Sequence, residues 1–168
     1  LDRAARAADV LDGEGLEGVA AGEAEATLVL GPGFVGVTQL PASVTDRQVA
    51  VLDGIGVRAL RFNLHRGGSA EVGELDRLAR RVHALAGWHV ELYADAAALQ
   101  SLHALLCALP ALCIDHLGLS RAGLPQLLKL AERGVRVKAS GFGRVDFDVR
   151  AALRDLHAAN PAALMFGT

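Results

Sequence analysis

The sequence predicts an α/β fold in which parallel strands alternate with crossover helices and close into a (β/α)8 (TIM) barrel. Three observations carry that reading. Short runs rich in β-formers alternate with longer stretches whose apolar residues recur at helical spacing. The runs begin at residues 34, 57, 89, 112, 135 and 164, leaving room for a helix between each pair, and only a crossover returns the chain to pair in parallel. Finally, the runs are two-faced, whereas the central strands of an open doubly wound sheet are apolar on both sides.

The strands are expected at Phe34–Leu40, Val57–Leu64, His89–Ala94, Leu112–Leu117, Val135–Ser140 and Leu164–Thr168. Helices are expected over about 45–54, 71–86, 96–108, 120–133 and 146–159, with Thr45 and Asp46 as caps for the first and Pro161 just beyond the last. Residues 1–24 read as helix interrupted by glycines, and Ala26–Leu30 as a further strand. Leu60, Phe62 and Leu64 share one face of their strand, and Arg61, Asn63 and His65 the other. Val90, Leu92 and Ala94 oppose His89, Glu91 and Tyr93 in the same way, as Val135, Val137 and Ala139 oppose Arg136, Lys138 and Ser140. Apolar faces against helices and polar faces inward fit a barrel with a polar interior near its active end. Such polar groups must form a network or line a wet pocket, because burying them unpartnered is costly. Edge strands with one solvated face are the plainer alternative, but six edges cannot coexist in one sheet.

Composition bounds the function. The 168 residues are 52% hydrophobic and 21% charged, an ordinary globular balance. The formal net charge of −2 offers no global field to draw nucleic acid or an anionic membrane. The two cysteines, Cys107 and Cys113, form no CxxC motif and read as small buried residues of a cytoplasmic protein. No apolar run approaches the ~20 residues of a membrane span. The chain opens on Leu1 instead of Met, so upstream sequence is expected.

Among the motifs, Gly31-Pro32-Gly33 has the spacing of a nucleotide-binding loop, but a strand follows it and proline divides it, so it reads as a turn. Gly141-Phe142-Gly143 is a weak anion-loop signal. Ser140 lacks the glycine two residues before it that a nucleophile elbow requires, having Lys138 there. The most informative string is Ile114-Asp115-His116-Leu117-Gly118, an apolar strand ending in Asp-His. Active sites of parallel barrels gather at that end, and an imidazole there can bind a metal or move a proton. Alternation alone does not say which of the two faces inward.

Five strings occur in order: Gly56-Val-Arg-Ala-Leu-Arg-Phe-Asn-Leu64, Gly87-Trp-His-Val-Glu-Leu-Tyr93, Ile114-Asp-His-Leu-Gly118, Val137-Lys-Ala-Ser-Gly141 and Met165-Phe-Gly-Thr168. Together they resemble the amidohydrolase-2 branch of the amidohydrolase superfamily, the group similar to 2-pyrone-4,6-dicarboxylate lactonase, over about residues 34–168. The resemblance implies a distorted barrel of which strands three to eight are present here. It also implies hydrolysis of a small carboxylated lactone or ester. Some relatives use one divalent metal, zinc or manganese, and the lactonases can work without one.

Position by position, the family's sixth-strand histidine falls on His116, as a metal ligand where a metal is used or as the electrophile that polarises the substrate carbonyl where none is. Arg61 and Asn63 fall on the inward face of the fourth strand, where Arg61 could grip a substrate carboxylate as a fork or pair internally with Glu91. Tyr93 is placed to hydrogen-bond substrate. Arg144 matches a second carboxylate-binding arginine, with an ordinary loop charge as the alternative. His89 begins its strand and is assigned a structural role.

Two departures stand at the ends. The family's first-strand His-x-His pair has no counterpart, and its last strand continues from Gly-Thr into an aspartate, the family's general base, whereas this sequence stops at Thr168. A complete barrel typically takes ~250 residues. The expectation is therefore a hydrolase whose isolated 168-residue piece is inactive. The partners expected are a small anionic substrate, no nucleic acid and no membrane, with a homo-oligomer left open. A metal-dependent decarboxylase on the same barrel, or a binding protein with an incomplete site, are the alternatives.

Overall fold

The computed structural model describes residues 35–67 and 69–166. The helix and strand expected before residue 31, the Gly31–Gly33 turn and the last two residues of the final strand lie outside the described residues. Six strands are described: β1 (Gly36–Thr38), β2 (Val57–Asn63), β3 (His89–Tyr93), β4 (Leu112–Ile114), β5 (Arg136–Ala139) and β6 (Leu164–Phe166). They stand in one sheet in chain order. Five α-helices alternate with them: α1 (Asp46–Gly54), α2 (Leu75–Ala86), α3 (His103–Ala108), α4 (Leu124–Glu132) and α5 (Val149–Ala159). This is the β/α alternation the sequence predicts for part of a parallel barrel.

The described chain falls into two compact units, the first running to Phe62 and from residue 69 to Val90, the second comprising Asn63–Gly67 and everything from Glu91 on. In the first unit β1 pairs in parallel with β2, Val37 opposite Ala59 and Thr38 opposite Leu60. Helix α1 begins at a capping box: the Thr45 hydroxyl accepts from the Gln48 amide and the Gln48 side chain accepts from the Thr45 amide. Val49, Leu52, Leu60, Phe62, Leu75, Leu78, Val82 and Trp88 are fully buried and form the core of this unit. The indole of Trp88 is tied down by donating to Asp53 at 3.0 Å.

In the second unit β4 pairs in parallel with β5, and β5 with β6. Leu92, Leu99, Leu106, Ile114, Leu127, Leu130, Val137 and Leu156 fill its core. Helix α5 starts where Asp148 accepts from the amides of Arg150 and Ala151.

The elements are shorter and less regular than the sequence predicts. The helix expected over 96–108 is a 3-10 segment, Ala96–Leu102, before α3, and α2 and α4 each begin with a 3-10 turn. The β2 run ends at Asn63, so Leu64 is not on the helix-facing side of a strand; it lies in a turn and is exposed. Arg136, assigned inward by alternation, is exposed at the start of β5. β3 is buried on both faces at its end, Glu91 and Tyr93 included. Polar side chains on its inner face therefore need partners, and they have them.

Candidate active site at the strand ends of the second unit

Inside the second unit, the inner faces of β3, β4 and β5 bring together three charges. The Lys138 ammonium lies 2.5 Å from the Glu91 carboxylate and 3.2 Å from that of Asp115, the carboxylates being 4% and 0% exposed. Burial alone disfavours the ammonium, but its hydrogen bond and charge interaction with Glu91, followed by those with Asp115, outweigh this and leave the lysine pKa above its ordinary value. This is the internal polar network that the alternating pattern demanded.

Immediately beyond Asp115 the backbone turns left-handed. His116, Leu117, Gly118 and Leu119 have φ of 50°, 53°, 67° and 68°. Three of these are not glycine, and such conformations cost about 1–3 kcal/mol each unless the surroundings impose them. Burial imposes them here, since Asp115, His116, Leu117 and Gly118 are all buried. The Gly118 and Leu119 amides close the turn on the carbonyls of Asp115 and His116. Alternation thus ends at Asp115, which points to Lys138, and the turn re-aims His116 toward the end of β5.

There the imidazole is held on several sides. Its Nδ1 is 2.9 Å from the Ser140 hydroxyl, and its Nε2 is 3.4 Å from a guanidinium nitrogen of Arg144. Tyr93 meets it edge to face, ring centroids 5.2 Å apart at 89°. A Cβ at Gly141 would fall 2.7 Å from the ring's Cγ and Nδ1, so only glycine lets the ring lie there, and its φ of 64° suits glycine as well.

Tyr93 links this group to the turn after β2. Its carbonyl accepts from the amides of Leu64 and His65 at 3.0 and 3.1 Å. The His65 ring stands 5.2 Å from the Tyr93 ring, and the Arg66 guanidinium lies 5.9 Å from the same centroid. Asn63 accepts from the Arg66 amide at 2.9 Å and so shapes the turn.

Of the residues singled out from sequence, Tyr93, His116 and Arg144 come together; Asn63 sits at the base of the adjoining turn. Arg61 is half-buried on β2 in the first unit, and His89 is half-buried at the start of β3. Ser140, His65 and Arg66 were not among the sequence-predicted site residues. For Ser140 and His65 a signal existed, since period two puts them on the polar face with Lys138 and with Arg61. Arg66 lies in a turn, where period two carries no information. Of the two cysteines, both free, Cys113 is buried as expected and Cys107 is half-buried.

The donor set can be weighed against a divalent metal, which members of this kind of barrel often carry. His116 has a hydroxyl on one nitrogen and a guanidinium on the other, and Glu91 and Asp115 already neutralise an ammonium. Among the described residues no group of three or more histidines, cysteines or carboxylates could hold a metal ion. The described residues alone do not fit a divalent cation, and no chemical step is built on one. Also among the described residues, no helix is long and apolar enough to cross a membrane.

Comparison with known proteins adds the following. The amidohydrolase family profile matches residues 9–168. A 2-pyrone-4,6-dicarboxylate hydrolase of Comamonas testosteroni is 35% identical over 86 residues, which is 49% of this chain and 28% of that protein. A Pseudomonas putida structure, provisionally named a 2-pyrone-4,6-dicarboxylic acid hydrolase, is 30% identical with a TM-score of 0.70 over 86% of this chain and 60% of its own. An apo structure from Agrobacterium tumefaciens is 25% identical with a TM-score of 0.73 over 87% and 59%. The chain thus spans about 60% of the length of these two solved structures.

Proposed function

The chain belongs to the amidohydrolase family, and from that premise we propose that the whole protein hydrolyses a small carboxylated lactone, with related esters as the wider substrate class. The observation that carries the reading is the gathering of Tyr93, His116 and Arg144 at the ends of β3, β4 and β5 in a chain whose relatives are named for a dicarboxylated pyrone. Arg144 supplies a fork for one substrate carboxylate, and the family resemblance assigns carboxylate binding to Arg61 as well. The phenol of Tyr93 orients the ring. His116 presents Nε2 to the carbonyl that develops negative charge. The family resemblance assigns water activation to an aspartate after the last strand of relatives. The partner is a small anion, and the compartment we propose is the cytoplasm.

The test is turnover by the full-length protein of 2-pyrone-4,6-dicarboxylate, followed as loss of the pyrone absorbance, with uncharged lactones as controls. Arg61→Met and Arg144→Met should each lower kcat/KM, by about 2–5 kcal/mol of transition-state binding where the lost partner is a buried carboxylate. Unchanged kinetics in either variant would remove that arginine from the site. Carbon dioxide release in place of ring opening would replace the hydrolase with a decarboxylase.

A further inference from the structure

The left-handed turn that aims His116 is tied down differently at its two ends. Its start follows directly on β4, where the Asp115 amide donates to the Leu92 carbonyl of β3 at 3.0 Å and the Asp115 carboxylate meets Lys138. Its end is Ser120, just past Leu119, the last left-handed residue. There the Ser120 hydroxyl donates to the Asp95 carboxylate at 2.6 Å, a bond that spans 25 residues of chain. Donor and acceptor are fixed, because a carboxylate only accepts. The serine oxygen in turn accepts from the Gly123 amide at 3.2 Å. Asp95 also accepts from the Ala97 amide at 2.9 Å and so caps the 3-10 segment Ala96–Leu102. Capping explains that bond, but it does not call for the one to Ser120. The two segments also meet closely. A Cβ on Gly118 would fall 2.7 Å from the Ala96 Cβ, and one on Gly123 would fall 2.7 Å from that atom and from the Ala97 nitrogen. Glycine at both places lets the turn lie against the segment after β3, and the Asp95–Ser120 bond closes that contact. Three non-glycine residues held left-handed favour relaxation of the turn, and the bond opposes it.

We infer that Asp95 and Ser120 are positioning residues: their hydrogen bond clamps the end of the His116–Leu119 turn and so fixes where the His116 imidazole is presented. They act through the backbone of the turn, whichever ring nitrogen carries hydrogen. The inference rests on the proposed role of His116 in lactone hydrolysis.

Three readouts test this on the full-length protein. The Gly118, Leu119 and Ser120 amides close the turn on the carbonyls of Asp115, His116 and Gly118, so they should exchange slowly with solvent deuterium. Exchange at the rate of an open loop would overturn the inference, and this needs no variant to fold. The His116 ring-proton resonances, identified by their loss in His116→Asn, should carry a ring-current shift from Tyr93. Ser120→Ala should lose most of that shift, and Ser120→Thr, which keeps the hydroxyl, should regain it. An unmoved resonance in Ser120→Ala would overturn the clamp. With 2-pyrone-4,6-dicarboxylate, Ser120→Ala and Asp95→Ala should lower kcat by about 10- to 100-fold, the range for misplacing a reacting group by about 1 Å, while KM changes by less than about threefold. Ser120→Thr should restore the rate. Unchanged kcat beside a moved resonance would overturn the role in the reaction. Shifts that follow the hydroxyl in a protein that opens no lactone would uphold the clamp and overturn the hydrolase reading.

Discussion

At residue scale Lys138 neutralises two carboxylates at once. Its ammonium stands between the buried Glu91 and Asp115, so its removal takes from both the positive charge they share in a low-dielectric interior. Breaking a buried pair from one side costs about 3–5 kcal/mol, more than any surface ion pair contributes. Lys138→Met is therefore expected to lower the unfolding free energy by about that much, read as a shift in the urea midpoint at unchanged slope. A loss of less than about 1 kcal/mol would show that other partners serve the two carboxylates as well. Much of this was legible in sequence, because alternation put Lys138 and Glu91 on inward faces. Asp115 and His116 were flagged but not aimed, since aiming them takes a left-handed turn of four residues, and a backbone conformation forbidden to most residues leaves no compositional trace. The same turn hides Ser140, whose meaning appears only when the imidazole reaches it.

At the scale of elements, termini reveal themselves through side chains that satisfy the free amides of a helix's first turn. Thr45 does this for α1 through its reciprocal exchange with Gln48, and the sequence named Thr45 as a cap. Thr45→Ala should cost about 1 kcal/mol, and Thr45→Ser should recover most of it; equal stability of all three proteins would mean that water serves the amides as well. Other boundaries were less legible. α2, α3 and α4 begin as 3-10 turns, and the apolar spacing of a 3-10 turn differs too little from that of an α-helix to be read over a few residues. Strands were predicted too long for a related reason: Leu64 continues the apolar alternation of β2, but its amide turns to the Tyr93 carbonyl and the side chain faces water.

For the molecule as a whole, the order of strands and helices was legible because crossover geometry admits few arrangements, whereas the two compact units were not, since no change of composition marks Phe62 or Val90. Global stability should nonetheless carry a signature from one core thiol. Burial, reinforced by the charge of Glu91, raises the Cys113 pKa from 9.0 to about 12. The folded state therefore keeps its proton over a range in which the unfolded chain gives it up, and the stability this confers is full below pH 9 and declines as pH rises toward 12. Lys138 acts in the same direction at higher pH: its raised pKa confers stability that is complete below its unfolded value of 10.5 and is lost above it. Unfolding free energy should thus be flat from pH 7 to about 9 in this respect and then fall, with Cys113→Ala removing the first part of the decline and leaving the second. Alkylation at neutral pH separates the same two states: half-buried Cys107 should react while the protein is folded, and buried Cys113 only at the rate at which the molecule opens. Equal labelling of the two thiols under native conditions would mean that the β4 core opens far more readily than its burial implies.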